Sequence, residues 1–348
     1  MAFRFRLSSV GKGFLPATRG LATVTTNMVA GSEVDAQRYV DFIKDQAFFP
    51  NPPRRMSTLL QVLQHKGLSL VDPAERAGLN PFFIPLAKDE KGEMTGLLRW
   101  PTAPETMEMA VVKHSTAGLD QLSLTAEHFV RRAAAEEDFT GGPDAKELIR
   151  LANEGLNEGD QPYEAGAAEK LGYGIMRYNA LRIGAFADVY EWLTAQHLDK
   201  GDVTAALSCA ERANDLFVGW GRPYGYYART LGSLGKSREM EAKDAAKVAL
   251  RCACWTISPD PAHLEEVVRI AGYTDMDSVR EMYTNMASDE QKDKIIEGKA
   301  PMQVALDRAA HLMDAAAFGY KGWDDIREEL AQRYEEGGLP EIATFVRL

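Results

Sequence analysis

The first clear periodicity in the chain places Ala36, Val40, Ile43 and Ala47 on one side of a helix, which the prolines at 50, 52 and 53 stop. Met56, Leu59, Leu60 and Leu63 repeat the pattern and predict a second helix, ended by Gly67. Residues 68–120 read differently. Prolines at 73, 81, 85, 101 and 104 interrupt the segment, and Thr95–Trp100 with Met107–His114 read as two short strands around a Pro-Thr-Ala-Pro turn. A small irregular α+β or hairpin element is expected there.

From Leu122 onward the helical period dominates. Leu122–Glu137 predicts a helix, and Pro143 suits the first position of the next, which ends near Gly155. The glycine-rich stretch 155–166 reads as a boundary. Further helix starts are marked by Asp260-Pro261 and by a capping box, Ser288-x-x-Gln291. The expected fold class is mainly α: a helical, solenoid-like C-terminal region (121–348) behind a small irregular α+β N-terminal region (22–120).

Two adjacent helix pairs carry a repeat. Tyr190, Leu193, Gly201, Ala206, Ala210 and Ala213 are followed about one period later by Tyr224, Tyr227, Ala228, Gly235, Ala242, Ala246 and Ala249. Small residues on the second helix of each pair let the first pack closely. The spacing resembles the tetratricopeptide repeat over residues 187–259, although the first copy lacks a Leu-Gly pair and a closing proline, and no third copy is clear. An alanine-rich helical bundle is the alternative. The resemblance implies a scaffold offering concave helical surface to other proteins, and it brings no catalytic residues.

Charge divides the chain. Residues 1–21 carry Arg4, Arg6, Lys12 and Arg19 and no acid, and Phe3, Leu7, Val10 and Phe14 form one apolar stripe. A cationic amphipathic leader without acids reads as a mitochondrial transit peptide, with Ala22 as the mature start; a plastid address and a basic surface tail are the alternatives. The whole chain carries −11, so loss of the leader leaves a body near −15. Its longest basic clusters are Arg54-Arg55 and Arg131-Arg132, which disfavours nucleic acid as a partner. The most apolar run, Val248–Ile257, contains Arg251 and is too short to cross a bilayer.

Motifs that would carry chemistry are incomplete. Gly232-Ser-Leu-Gly235-Lys236-Ser237 approaches a phosphate loop, but Thr230 stands where the first glycine belongs. After Gly219-Trp220-Gly221, Tyr224 takes the place of the third glycine of a dinucleotide fingerprint. Cys209, Cys252 and Cys254 read as buried hydrophobes, and the six histidines are scattered without ligand spacing. His311 with Asp314 reads as a surface or capping pair, and Glu136-Glu137 and Asp324-Asp325 read as solvated faces.

No catalytic, cofactor-binding or metal-binding residue and no cofactor is therefore named. The expectation is a non-catalytic scaffold: an accessory subunit or assembly factor of a mitochondrial inner-membrane complex, either a respiratory complex or the ATP synthase. Its partners would be other proteins, subunits of that complex. An organellar RNA-handling repeat protein and a matrix enzyme without a recognisable motif are the competing classes.

Overall fold

The computed structural model describes residues 32–348 apart from Glu105, Thr116, Ala117, Glu158 and 280–299; the leader and the Ser288–Gln291 capping box lie outside the described residues. Helix α1 (Ser32–Asp41) runs into a π turn (Phe42–Gln46) that buries Ile43, and α2 (Met56–His65) buries Met56, Leu59, Leu60, Val62 and Leu63. Both follow the apolar stripes of the sequence and end at the prolines and at Gly67 as expected.

The irregular segment is an antiparallel meander of five strands, paired in chain order: β1 (Ser69–Leu70), β2 (Phe83–Lys88), β3 (Met94–Leu98), β4 (Val111–His114) and β5 (Leu119–Ser123). The two expected strands are β3 and β4, paired Gly96 to Val112. Sequence reasoning missed β2 because Pro85 interrupts it. The chain accommodates this proline, which has no ladder donor, at a bulge between Pro85 and Ala87. Gly96 lets β2 come close: a Cβ there would stand 2.1 Å from the carbonyl oxygen of Ile84.

A helix beginning at Leu122 is not what forms. Leu122 and Ser123 finish β5, and helix α3 (Ala126–Thr140) starts after Thr125, whose hydroxyl accepts the His128 N–H at 3.1 Å. The strand buries Leu119, Gln121 and Ser123, two of them polar, so apolar alternation does not reveal it, and the Thr125 cap decides where the helix starts. Helix α4 (Ala145–Asn153) follows, with Pro143 just ahead of it, and residues 155–166 hold no helix or strand among those described. Next come α5 (Ala167–Leu171) and α6 (Ile175–Tyr178), the latter extended by a π turn (Asn179–Ile183).

Two hairpins occupy the repeat-like region: α7 (Ala187–Asp199) with α8 (Val203–Leu216), and α9 (Gly221–Ser233) with α10 (Glu239–Ala249). Ala206, Ala210, Ala213, Ala242, Ala246 and Ala249 are all buried, as the resemblance requires. The phosphate-loop lookalike is the turn of the second hairpin, with Gly235 at φ +93°. Helix α11 (Pro261–Ile270) is capped by Asp260, which accepts the Ala262 N–H at 2.9 Å. Its Leu264, Val267 and Val268 share a core with Ala228, Leu231 and Ala246 of the second hairpin.

The array does not simply lengthen from there. Helices α12 (Pro301–Ala317), α13 (Trp323–Glu336) and α14 (Pro340–Arg347) contribute Met313, Ile326, Leu330, Phe345 and Val346 to the core that also holds Leu59, Phe83 and Val111. In a solenoid each repeat meets only its neighbours. Here the last helices return to the first strands, so the described residues show two hairpins and no extended stack.

Two buried arginines fasten that return. Arg76, 1% exposed, donates to the carbonyls of Phe345 (2.7 Å), Phe83 (3.3 Å) and Pro81, with its guanidinium 3.9 Å from the Phe345 ring centroid. Burial, and then the neighbouring Arg327 charge, lower its pKa to about 9, so it remains cationic at neutral pH. Arg327 donates to the carbonyls of Arg76 (2.7 Å), Leu79 (3.1 Å) and Val346 (2.9 Å). The acids read as a solvated face take part: Asp324 pairs with Arg327 at 2.9 Å and accepts the Gly78 N–H, while Asp325 caps α13.

Asp314 also departs from expectation, being 6% exposed and accepting the Cys254 N–H at 2.7 Å. Burial pushes its pKa up to about 7. Cys254 is buried and Cys252 half-buried, and neither forms a disulfide.

Replacing Arg327 by Met keeps the apolar stem and removes three carbonyl partners. Urea unfolding should show a loss of about 2–4 kcal/mol. For Asp314 the folded pKa lies above the unfolded one, so its stabilising contribution is present at low pH and is lost as pH rises toward 7. Comparing wild type with Asp314→Asn at pH 5 and pH 8, the variant's relative stability should be higher at pH 8; a pH-independent difference would contradict this.

Candidate interaction groove

A cluster of half-buried ion pairs lies where β5, α3, α7 and α9 meet. On α3, Arg132 and Glu136 are four residues apart and share a face; on α7, Asp188 and Glu191 are three apart and do the same. Arg132 donates through both terminal nitrogens to Asp188 at 2.8 and 2.6 Å, and through Nε to Glu136 at 2.7 Å. Its guanidinium lies 4.6 Å from the centroid of the Phe186 ring. Arg222, at the start of α9, is held to Glu191 at 2.7 and 2.9 Å and to Asp120 of β5.

Bidentate pairing of this kind fixes direction as well as distance. Burial alone would raise the Asp188 pKa, but the Arg132 hydrogen bonds and charge outweigh it and hold the carboxyl below its usual range. Burial likewise works to lower the Arg222 pKa, and its bond to Glu191 overcomes that and raises it. Arg132, Asp188 and Arg222 are therefore charged at neutral pH. They bind the sheet and α3 to the hairpins.

A cavity of about 250 Å³ opens on one side of Arg222, lined by Leu63, Phe129, Arg132, Asp188 and the three β5 residues Asp120, Gln121 and Leu122. A second, of about 280 Å³, lies beyond it, lined by Glu191, Tyr226, Arg229, Asp260 and His263. Asp120 and Arg222 border both. Gln121 is 4% exposed, and its Nε2 makes no hydrogen bond.

No site residue was named from sequence, and these charges carry no local motif. Arg132 belongs to one of the two basic pairs noted there, and Glu136 to a supposed solvated face; both are committed to ion pairs. Among the described residues no cluster of three or more His, Cys, Asp or Glu is placed to hold a metal ion, and no helix is long and apolar enough to cross a membrane. His114 accepts the Asn80 N–H at 3.0 Å, and burial lowers its pKa to about 4. His65 lies 3.3 Å from Asp144.

Fold and groove together describe a mainly helical protein whose polar recess is closed by salt bridges. Three family models match it in succession: PAB N-terminal over residues 37–178, PAB middle domain over 187–274 and PAB C-terminal domain over 279–348. The Arabidopsis thaliana protein IN CHLOROPLAST ATPASE BIOGENESIS, chloroplastic, is 39% identical over 313 residues, covering 88% of this chain and 90% of that protein. The chain belongs to the PAB family. No solved structure matches it. The groove falls where the N-terminal match, with Asp120, Arg132 and Glu136, meets the middle match, with Asp188, Glu191 and Arg222.

Truncating Arg222 to Met leaves Glu191 and Asp120 without their shared cation in a half-buried setting. The expected cost is about 2–4 kcal/mol in urea unfolding, with part recovered when Glu191→Gln is added. Independent, additive losses would show that the pairing contributes nothing.

Proposed function

We propose that this protein is an assembly factor for the ATP synthase of a plastid, acting by contact with its subunits before the complex is complete. The observation that carries this reading is the end-to-end relationship, at 39% identity, to a chloroplast protein named for ATPase biogenesis.

The relative's address supports the plastid alternative for the leader in place of the mitochondrial destination expected from sequence. The two kinds of leader share cationic charge and a lack of acids, and arginine-led composition separates them poorly. Residues 1–21 then serve as a plastid leader, followed by the 22–120 and 121–348 regions. A non-catalytic role is favoured by a groove whose ionic groups are held in ion pairs. The repeat-like hairpins would supply protein-contact surface, and a respiratory complex or RNA is a weaker candidate partner than the ATPase.

The experiment is loss of the gene followed by native electrophoresis of thylakoid membranes. Assembled ATP synthase should fall several-fold while transcripts of its subunits persist. Unchanged ATP synthase in plants or algae lacking the protein would contradict the proposal.

A further inference from the structure

Two of the four most exposed large apolar side chains among the described residues stand close together in the chain, Tyr173 (59%) and Leu181 (64%). Both lie between α5 and α7, where the N-terminal match gives way to the middle match. Arg177 and Leu181 are four apart, one helical turn, and share a face. Arg177 holds its guanidinium 5.8 Å from the ring centroid of the half-buried Trp192 on α7. Arg182, next to Leu181, is exposed. The outcome is an outward surface of Trp, Tyr, Leu and Arg, and Trp, Tyr and Arg are the residue types that most often anchor protein contacts.

This surface is held from beneath. The buried Tyr178 meets Tyr163 edge to face, with ring centroids 6.0 Å apart. Asn179, fully buried, donates to Glu136 at 3.2 Å and so pins the π turn to α3. A surface fixed before contact loses little entropy on binding.

Charge indicates what fits it. Among the described residues neither Arg177 nor Arg182 makes a hydrogen bond or an ion pair with a carboxylate. Glu136, Asp138 and Glu191, on the helices beneath, already serve Arg132, Tyr163 and Arg222. In a chain of net charge −11 two cations are thus left over beside exposed apolar side chains. They favour apolar surface bordered by carboxylates and disfavour a basic partner.

We infer that an unassembled ATP synthase subunit docks on this surface through an apolar segment bordered by Asp or Glu. Its apolar side chains cover Tyr173, Leu181 and Trp192, and its carboxylates pair with Arg177 and Arg182. The inference rests on the assembly role proposed above.

The test offers each soluble subunit of the plastid ATP synthase, expressed singly, to the purified protein and measures affinity by interferometry. One subunit should bind the wild type, less tightly as salt is raised, and Leu181→Ser and Arg182→Glu should each weaken it about tenfold. Both positions are exposed, so the variants should melt within about 2 °C of wild type. Unchanged affinity in both variants overturns the surface and leaves the assembly role standing. Failure of every subunit to bind overturns the inference, while the level of ATP synthase in plants lacking the gene still decides the assembly role. A fall of more than about 5 °C in the melting midpoint of Leu181→Ser shows that the chain's own residues cover the surface, and overturns it too. A dimer that Leu181→Ser dissolves makes a second copy the occupant and overturns the assignment to a subunit.

Discussion

The architecture depends on two arginines, Arg132 and Arg222, that each grip two carboxylates across an element boundary. Hydrophobic burial supplies two substantial cores, one shared by the sheet and the C-terminal helices and one inside the second hairpin and α11. Apolar contact is non-directional and does not by itself fix the angle at which one body meets the next. Planar bidentate pairs do: Arg132 with Asp188 sets α7 against α3, Arg222 with Glu191 sets α9 against α7, and the further bond from Arg222 to Asp120 ties α9 to β5.

A second pair of arginines works differently. Arg76 and Arg327 direct their guanidiniums mainly at backbone carbonyls, those of residues 76–83 and 345–346. Loops normally stay at the surface because buried backbone groups need partners. Here long cationic side chains provide those partners, which allows the 76–83 loop to lie under the last helix. The C-terminus is thereby locked into the core begun by α1, and the molecule folds back on itself.

Much of the helical content was legible because each helix shows a single dominant period. Examples are Ala36–Ala47, the alanine stripe of α8 and the Asp260-Pro261 start. What escaped had a physical reason in each case. Strand β2 was hidden by a proline that a bulge absorbs, and β5 by a buried face that is mostly polar, Gln121 and Ser123 beside Leu119. Asp314, Glu136 and Asp324 looked like surface charge because composition does not reveal a partner distant in sequence. The groove joins residues 120 and 222, about a hundred positions apart, and only the folded chain brings them together. Organelle type was ambiguous for a different reason, since targeting leaders are read by charge and amphipathicity rather than by a fixed motif.

The account stands or falls on whether this chain performs the task named for its relative. The direct measurement is complementation: the protein is expressed with a chloroplast leader in Arabidopsis thaliana lacking its own IN CHLOROPLAST ATPASE BIOGENESIS protein, and assembled ATP synthase is quantified. The account predicts that the complex is restored toward its normal level. Accumulation of the folded protein in the chloroplast with no recovery of ATP synthase would contradict it.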